Sequence, residues 1–340
     1  MKEKSQGLSS KAKLLWFLRE RQGAPVSGNI LAKELGVSRV AVWKAVQALV
    51  EAGYSIETKE KGYLLDPKNE KDFLYPWEFG DKENLFFHYK YTGSTMDRAR
   101  ELALRGAEGG TVITAEKQSA GRGRHGRTWV SRQGGLFFTV LERPRLAIAD
   151  YTLSSLVLQI AVAKSISFFC GKRAYLRWPN DVYINSRKIA GISTEISGEG
   201  DLLNWLSGGV GINVNNPVPS GKAASCSEIT GHNLSRREVL RKILEEIDNV
   251  KKKFSSAAIY SQGSHALAAE WNSMSDCIGA KAAVFEPVNK DEISLETPGK
   301  ILARGVFGGI DPAGRCILKT EGGKGSMYFN QGSVSLAFLN

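Results

Sequence analysis

The chain has 340 residues, enough at roughly 150 per domain for two or three domains. Hydrophobic residues at 42% and charged residues at 24% exclude a disordered or a fibrous protein. Lys and Arg number 46 against 35 Asp and Glu, a net charge of +11, so an anionic partner is expected: nucleic acid, nucleotide, acidic protein or lipid headgroup.

Cys170, Cys226, Cys277 and Cys316 lie at least 39 residues apart. No zinc spacing follows, no disulfide scaffold is expected, and a reducing cytoplasm is the expected compartment. The first 13 residues are polar and Lys-rich, without a signal-peptide pattern. Leu153 to Phe169 is the most apolar stretch. Ser154, Ser155, Gln159 and Lys164 interrupt it, so it reads as a buried helix and no membrane partner is expected.

Taken in chain order, Lys11 to Arg21 predicts a short helix with Leu14, Leu15 and Leu18 on one side. Ser27 can cap a second helix carrying Ile30, Leu31 and Leu35, which Gly36 ends. Ser38 can cap a third, where Val42, Ala45, Val46 and Leu49 share a face. Helix, glycine turn, helix is the helix-turn-helix pattern. The free side of the third helix offers Ser38, Arg39, Val40, Trp43, Lys44 and Gln47 to phosphates and base edges, although Trp43 could equally be core. Two short strands to Leu65 then make a hairpin whose tip carries Lys59 and Lys61, so residues 1–66 read as a winged helix-turn-helix that binds DNA. A helical packing domain with a solvated Lys face is the plainer alternative.

Residues 67–84 are polar, hold two prolines and read as a linker. Phe73, Tyr75, Trp77 and Phe79 predict that it docks on a neighbour, because aromatics are rare in free linkers.

Residues 85–277 alternate strands and helices, an α+β layer with a mostly antiparallel or mixed sheet. Residues 119–129, SAGRGRHGRTW, stand out. Gly121, Gly123 and Gly126 match G-x-G-x-x-G, but no helix follows to meet a pyrophosphate, so the dinucleotide reading fails; a P-loop motif is missing too. A glycine-rich loop with Arg122, Arg124 and Arg127 remains, suited to closing on an anionic ligand. A solvated basic loop, or one that binds nucleic acid, is the alternative. Ser235 to Phe254 predicts an amphipathic helix, and residues 278–340 read as short strands forming a small β-barrel, among them 292–297.

GRGRHGRTW, then RWPND at 177–181, RKIAGI at 187–192 and GVGINV at 209–214 resemble the biotin–protein ligase family. The leading winged helix is similar to that of its bifunctional ligase–repressor branch. The resemblance implies a central sheet like that of class II synthetases and an SH3-like β-barrel at the C-terminus. It implies that biotin and ATP form biotinyl-5′-AMP and that the biotinyl group passes to a lysine of a biotin carboxyl carrier domain. Operator DNA as a further partner, a homodimer on ligand binding and Mg²⁺ accompanying ATP are implied with it; no protein metal cage is expected. Two other readings stay open: an adenylate-sensing repressor with weak catalysis, and a lipoate ligase-like enzyme.

Carried over residue by residue, Lys188, Arg122 and Arg124 are the catalytic candidates, because joining two anions demands positive charge. Ser94, Thr95, Gln118, Gly121, Gly123 and Gly191 join them on the biotin side. Arg127, Trp129, Asn180, Asp181, Gly209, Gly211 and Asn213 are expected on the nucleotide side. Met96 stands where the family commonly has Asn, and Arg177 where Lys is common.

Overall fold

In a computed structural model the described residues are 8–69, 71–144, 146–218, 221–254, 263–286, 300–320 and 325–339, the side chain of His125 excepted. The strand expected at 292–297 lies outside them. The chain divides into two compact units, Met1–His88 and Tyr89–Asn340.

The first unit builds three helices, α1 (Ser10–Glu20), α2 (Gly28–Leu35) and α3 (Arg39–Glu51), and a hairpin of β1 (Ile56–Lys59) and β2 (Gly62–Leu65). Ser27 Oγ accepts from the Ile30 amide at 3.3 Å and Ser38 Oγ from the Ala41 amide at 3.1 Å, so both expected caps form. Gly36 ends α2 in the left-handed region, at φ 67°. Leu14, Leu18, Leu31, Val42, Val46 and Leu49 make the core.

The segment read as a linker belongs to this unit. Phe73, Tyr75 and Trp77 pack on the core, and Tyr75 stacks on Trp77 with ring centres 4.7 Å apart. Glu78 is 2% exposed, and a carboxylate so buried needs partners. Arg19 holds it through two bonds of 2.9 Å and the Tyr54 hydroxyl donates to it at 2.5 Å. Burial, and next the Glu78 charge, push the Tyr54 phenol well above its usual range. The indole N–H of Trp77 donates to that hydroxyl at 3.0 Å.

In the second unit the main sheet takes β4 (Thr111–Ala115), β5 (Leu136–Glu142), β9 (Leu202–Ile212), β8 (Arg187–Glu199), β7 (Asp181–Ile184) and β6 (Tyr175–Arg177) in that spatial order, all pairing antiparallel. Before them runs β3 (Phe86–Tyr89), and the Tyr89 carbonyl accepts from the Glu116 amide. Thr92 and Gln118 bridge in parallel, so the sheet is mixed. Between β3 and β4 lies α4 (Thr95–Leu104), capped by Ser94, whose Oγ accepts from the Met96 amide at 3.2 Å.

The apolar stretch forms α5 (Tyr151–Cys170), which packs on β6 to β9 and against α7 (Arg236–Phe254) and α8 (Ser264–Ser273). Most of α5 is buried there, which accounts for its apolarity on every side. Sequence periodicity did not announce α8. Its Trp271 is fully buried and donates to Gln159 Oε1 at 2.9 Å, so the polar break in α5 serves to hold a helix. A short helix, α6 (Cys226–Thr230), follows β9.

The C-terminal strands β10 (Lys281–Phe285), β11 (Ile301–Ile310), β12 (Cys316–Thr320), β13 (Ser326–Phe329) and β14 (Ser335–Phe338) form an antiparallel sheet in the order β13-β12-β11-β10-β14. It falls in the same compact unit as the main sheet.

Candidate active site

A cavity of about 290 Å³ opens on the main sheet of the second unit. Its floor is the pairing of β8 with β9, where Gly191 faces Gly211 and Ser193 faces Gly209. The Trp129 indole lies on this floor. A Cβ on Gly191 would come within 3.0 Å of the ring, and one on Gly211 would strike the indole nitrogen outright. Only glycine leaves room for an aromatic ring flat on the sheet. That indole nitrogen is buried without a hydrogen-bond partner among the described residues.

One wall is the start of α4. Ser94 and Thr95 are each 3% exposed and line the cavity with Met96 and Gln118. Gln118 Oε1 accepts from the Thr95 amide at 2.8 Å and from its hydroxyl at 3.2 Å, while Gln118 Nε2 donates to Ser131 Oγ at 2.9 Å. Thr139 in turn donates to Thr95 Oγ1 at 2.9 Å. Thr95 is therefore locked from both sides, whereas Ser94 keeps its own hydroxyl proton after accepting from Met96.

The Arg–Gly segment forms a tight hairpin over the cavity. Gly123 N donates to the Arg127 carbonyl at 2.7 Å and Trp129 N to the Gly121 carbonyl at 2.8 Å. Arg122, Gly123, Arg124, Arg127 and Trp129 line the cavity. Arg122 pairs with Asp97 at 2.5 Å. Arg124 donates to the Gln331 carbonyl at 3.1 Å, which brings the loop before β14 to the rim. Burial pushes the Arg124 guanidinium down to about 10, still charged at neutral pH.

The opposite wall is the turn from β6 into β7 with the start of β8. Lys188 pairs with Asp181 at 2.7 Å and its ammonium lies 5.4 Å from the Trp129 ring centre. The amide of Asn180 donates to the Ile192 carbonyl, tying the turn to β8. Arg177 lies over the Tyr183 ring at 4.2 Å and pairs with Asp276 at 2.8 Å. Five cationic side chains thus converge on one small cavity beside one carboxylate: Arg122, Arg124, Arg127, Arg177, Lys188 and Asp181. Such a set suits anionic oxygens of a carboxylate and phosphates.

Two expected residues stand outside the lining. A Cβ on Gly121 would meet Ser131 Oγ and the Trp129 carbonyl at 2.6 Å, so this glycine serves the packing of the hairpin. Asn213 is 7% exposed and accepts from Asn216 Nδ2 at 3.0 Å, which holds the turn after β9. Several lining residues were not anticipated. Trp178 and Pro179 sit inside RWPND, so the motif carried a signal for them; Ser335, Leu336 and Phe338 come from β14, far along the chain, and had none.

In the first unit Arg39, Val40, Trp43, Lys59 and Lys61 line one groove between α3 and the hairpin. Trp43 is 52% exposed and Val40 61%, so Trp43 is a surface residue of α3 and not core. Ser38, Lys44 and Gln47 are exposed on the same helix but outside the groove. Lys59 pairs with Glu57 at 2.5 Å, both well exposed.

Residues 89–213 match the model of the Biotin/lipoate A/B protein ligase family, and residues 11–64 match that of an HTH domain. The Bifunctional ligase/repressor BirA of Bacillus subtilis is 36% identical over 232 residues, 64% of this chain and 71% of that protein. The Biotin–[acetyl-CoA-carboxylase] ligase of Paracoccus denitrificans is 30% identical over 68% of this chain and 93% of its own. BirA of Escherichia coli aligns over 87% of this chain and 88% of its own at 27% identity. Among solved structures, a biotin protein ligase from Aquifex aeolicus in complex with biotin and ATP superposes with a TM-score of 0.60 at 28% identity, covering 75% of this chain and all but 1% of that one. The chain belongs to the biotin–protein ligase family, in a form that carries a helix-turn-helix domain ahead of the ligase domain.

Proposed function

We propose that the second unit condenses biotin with ATP to biotinyl-5′-AMP and pyrophosphate, then passes the biotinyl group to a lysine of a biotin carboxyl carrier domain. The observation that carries this reading is the gathering of Lys188, Arg122, Arg124, Arg127 and Arg177 around a cavity with a glycine floor. A carboxylate is a poor electrophile, and a mixed anhydride with AMP supplies it with a leaving group. Bringing biotin's carboxylate against the ATP phosphates costs Coulomb repulsion, which these side chains offset. Lys188 and Arg124 are the catalytic side chains, with Arg122 beside them. The uncharged end of the cavity, with Ser94, Thr95 and Gln118, suits a ureido group, which has a carbonyl to accept and N–H groups to donate. A dithiolane has neither, so biotin is favoured over lipoate. Trp129, Gly209, Gly211, Asn180 and Asp181 form the nucleotide side.

Mg²⁺ enters with ATP. No cluster of metal-binding side chains occurs among the described residues, so the phosphates would supply most of its oxygens, and Asp181 and Asn180 in the cavity lining are the side chains that would help to hold it. When bound it neutralises phosphate charge.

The first unit is a DNA-binding head that reads an operator with α3 and grips phosphates with Lys59 and Lys61. A homodimer formed on ligand binding presents two heads to two half-sites, and the chain represses transcription in the cytoplasm. The test is pyrophosphate exchange into ATP. Exchange depends on biotin and not on lipoate, and Lys188→Ala lowers it by roughly a hundredfold or more. No biotin-dependent exchange would sink the reading.

A further inference from the structure

Beside the main cavity lies a second chamber of about 220 Å³. The two share Met96, Arg122, Arg124, Asn180 and Ser193. The second adds Tyr151, Thr194, Glu195 and Gln331. Along β8, Gly191, Ser193 and Glu195 fall at alternate positions, so Glu195 continues the face that carries the glycine floor.

Two buried polar atoms in this chamber have no hydrogen-bond partner among the described residues, Glu195 Oε2 and Gln331 Nε2. Gln331 is 9% exposed. Its main chain is fixed by Arg124, yet among the described residues its side-chain amide nitrogen has no acceptor. The other oxygen of Glu195 is engaged by Arg100 at 2.7 Å, with Arg122 at 4.0 Å. Leaving such buried groups unsatisfied is costly, so a ligand that satisfies both is favoured.

The unsatisfied atoms select the ligand class. Arg122 and Arg124 line both spaces, and what the second chamber adds to them is one carboxylate, that of Glu195, with one oxygen still open. A primary ammonium on a peptide meets both demands: its N–H groups donate to a carboxylate, and a neighbouring peptide carbonyl accepts from an amide.

We propose that this chamber receives the acceptor lysine of the carrier domain, with Glu195 Oε2 accepting from its ε-ammonium and Gln331 Nε2 donating to a carbonyl of the carrier's main chain. The proposal rests on the ligase reading above. Glu195 and Gln331 bind and position the acceptor beside the acyl carbon. In the transfer the lysine loses one proton to solvent. Its lone pair then forms the C–N bond, the C–O bond to phosphate breaks, AMP leaves with that electron pair, and the amide nitrogen releases a second proton.

The full-length protein is assayed twice, for biotin-dependent pyrophosphate exchange and for transfer to a biotin carboxyl carrier domain. Glu195→Gln raises KM for the carrier about tenfold more than it changes exchange. Glu195→Asp, which keeps the charge, recovers most of that loss. Arg100→Met removes the ion pair but leaves the carboxylate, and it does not reproduce the effect. Hydroxylamine, an uncharged nucleophile, takes the biotinyl group from the Glu195→Gln adenylate with a smaller loss than lysine does. Gln331→Ala raises KM for the carrier by a smaller factor. Exchange and carrier transfer falling in step, an equal loss in Arg100→Met, or an equal loss with hydroxylamine would overturn the proposal. Missing exchange in the wild type would instead overturn the ligase reading.

Discussion

Gly211 carries more of the site than its size suggests. A methyl group there would strike the Trp129 indole nitrogen, and the facing Gly191 has the ring 3.0 Å from its missing Cβ. Gly211→Ala must therefore expel the indole from the sheet and with it reshape the Arg–Gly hairpin. We expect exchange to fall at least tenfold while the thermal unfolding midpoint shifts only slightly, since the indole moves into a cavity and not into packed core. Near-normal exchange in that variant would show that the indole's seat on the glycines is dispensable. At this scale the sequence was legible wherever a short motif held the residue. Lys188, Asn180 and Asp181 were singled out that way, and they line the cavity. Gly121 and Asn213 were singled out too but stand outside the lining, because a motif records that a residue matters without recording whether it faces the cavity or a neighbour.

The element that holds the cationic wall is β6, and it is anchored from outside its own hairpin. The Leu176 amide donates to the Met274 carbonyl at 2.8 Å, and Arg177 makes two bonds to Asp276, at 3.0 and 2.8 Å. Burial pushes the Asp276 carboxyl up, but the bonds from Arg177 and the Cys277 thiol outweigh it and hold the group below its usual value. A folded value below the unfolded one means that the unfolded state binds more protons in acid. The pair's contribution is complete above the unfolded value of about 3.8 and is lost as pH falls through the lowered folded value. Asp276→Asn should cost about 1 kcal/mol at pH 7, and the difference from wild type should shrink towards pH 3 in chemical denaturation. A difference that stays constant with pH would mean that the carboxylate charge contributes nothing. Helix caps and hairpins were readable in the sequence because they are local: Ser27, Ser38 and Gly36 act within a few residues. The role of α8 was not, because Trp271 finds its partner, Gln159, more than a hundred residues away.

For the whole molecule, two stretches carry +4 each of the net charge of +11, and the rest of the surplus is spread thinly over residues 133–340. Residues 1–66 hold 11 basic and 7 acidic groups, and residues 115–132 hold 5 basic and 1 acidic. The first set includes the exposed Lys59 and Lys61 of the hairpin, the second the arginines over the cavity. The two should respond differently to salt, since phosphate contacts on a duplex release counterions. Replacing Lys59 and Lys61 together by Glu should weaken operator binding at least tenfold and flatten its salt dependence in gel-shift titrations, while exchange stays within a factor of two. A parallel fall in exchange would mean that the head's charge also serves the ligase unit.

The sequence by itself determined the local elements, the order of the motifs and the family. Periodicity, capping and short motifs are properties of neighbouring residues, and the chain writes them out directly. Tertiary structure decided the rest. It joined residues 67–88 to the head because a buried Glu78 needs Arg19 and Tyr54. It set Trp129 on a floor of two facing glycines from different strands. It also brought Gln331 and Glu195 to one chamber across more than a hundred residues of chain. Those placements depend on packing and on the pairing of buried polar groups, which act through space and leave no spacing in the sequence to read.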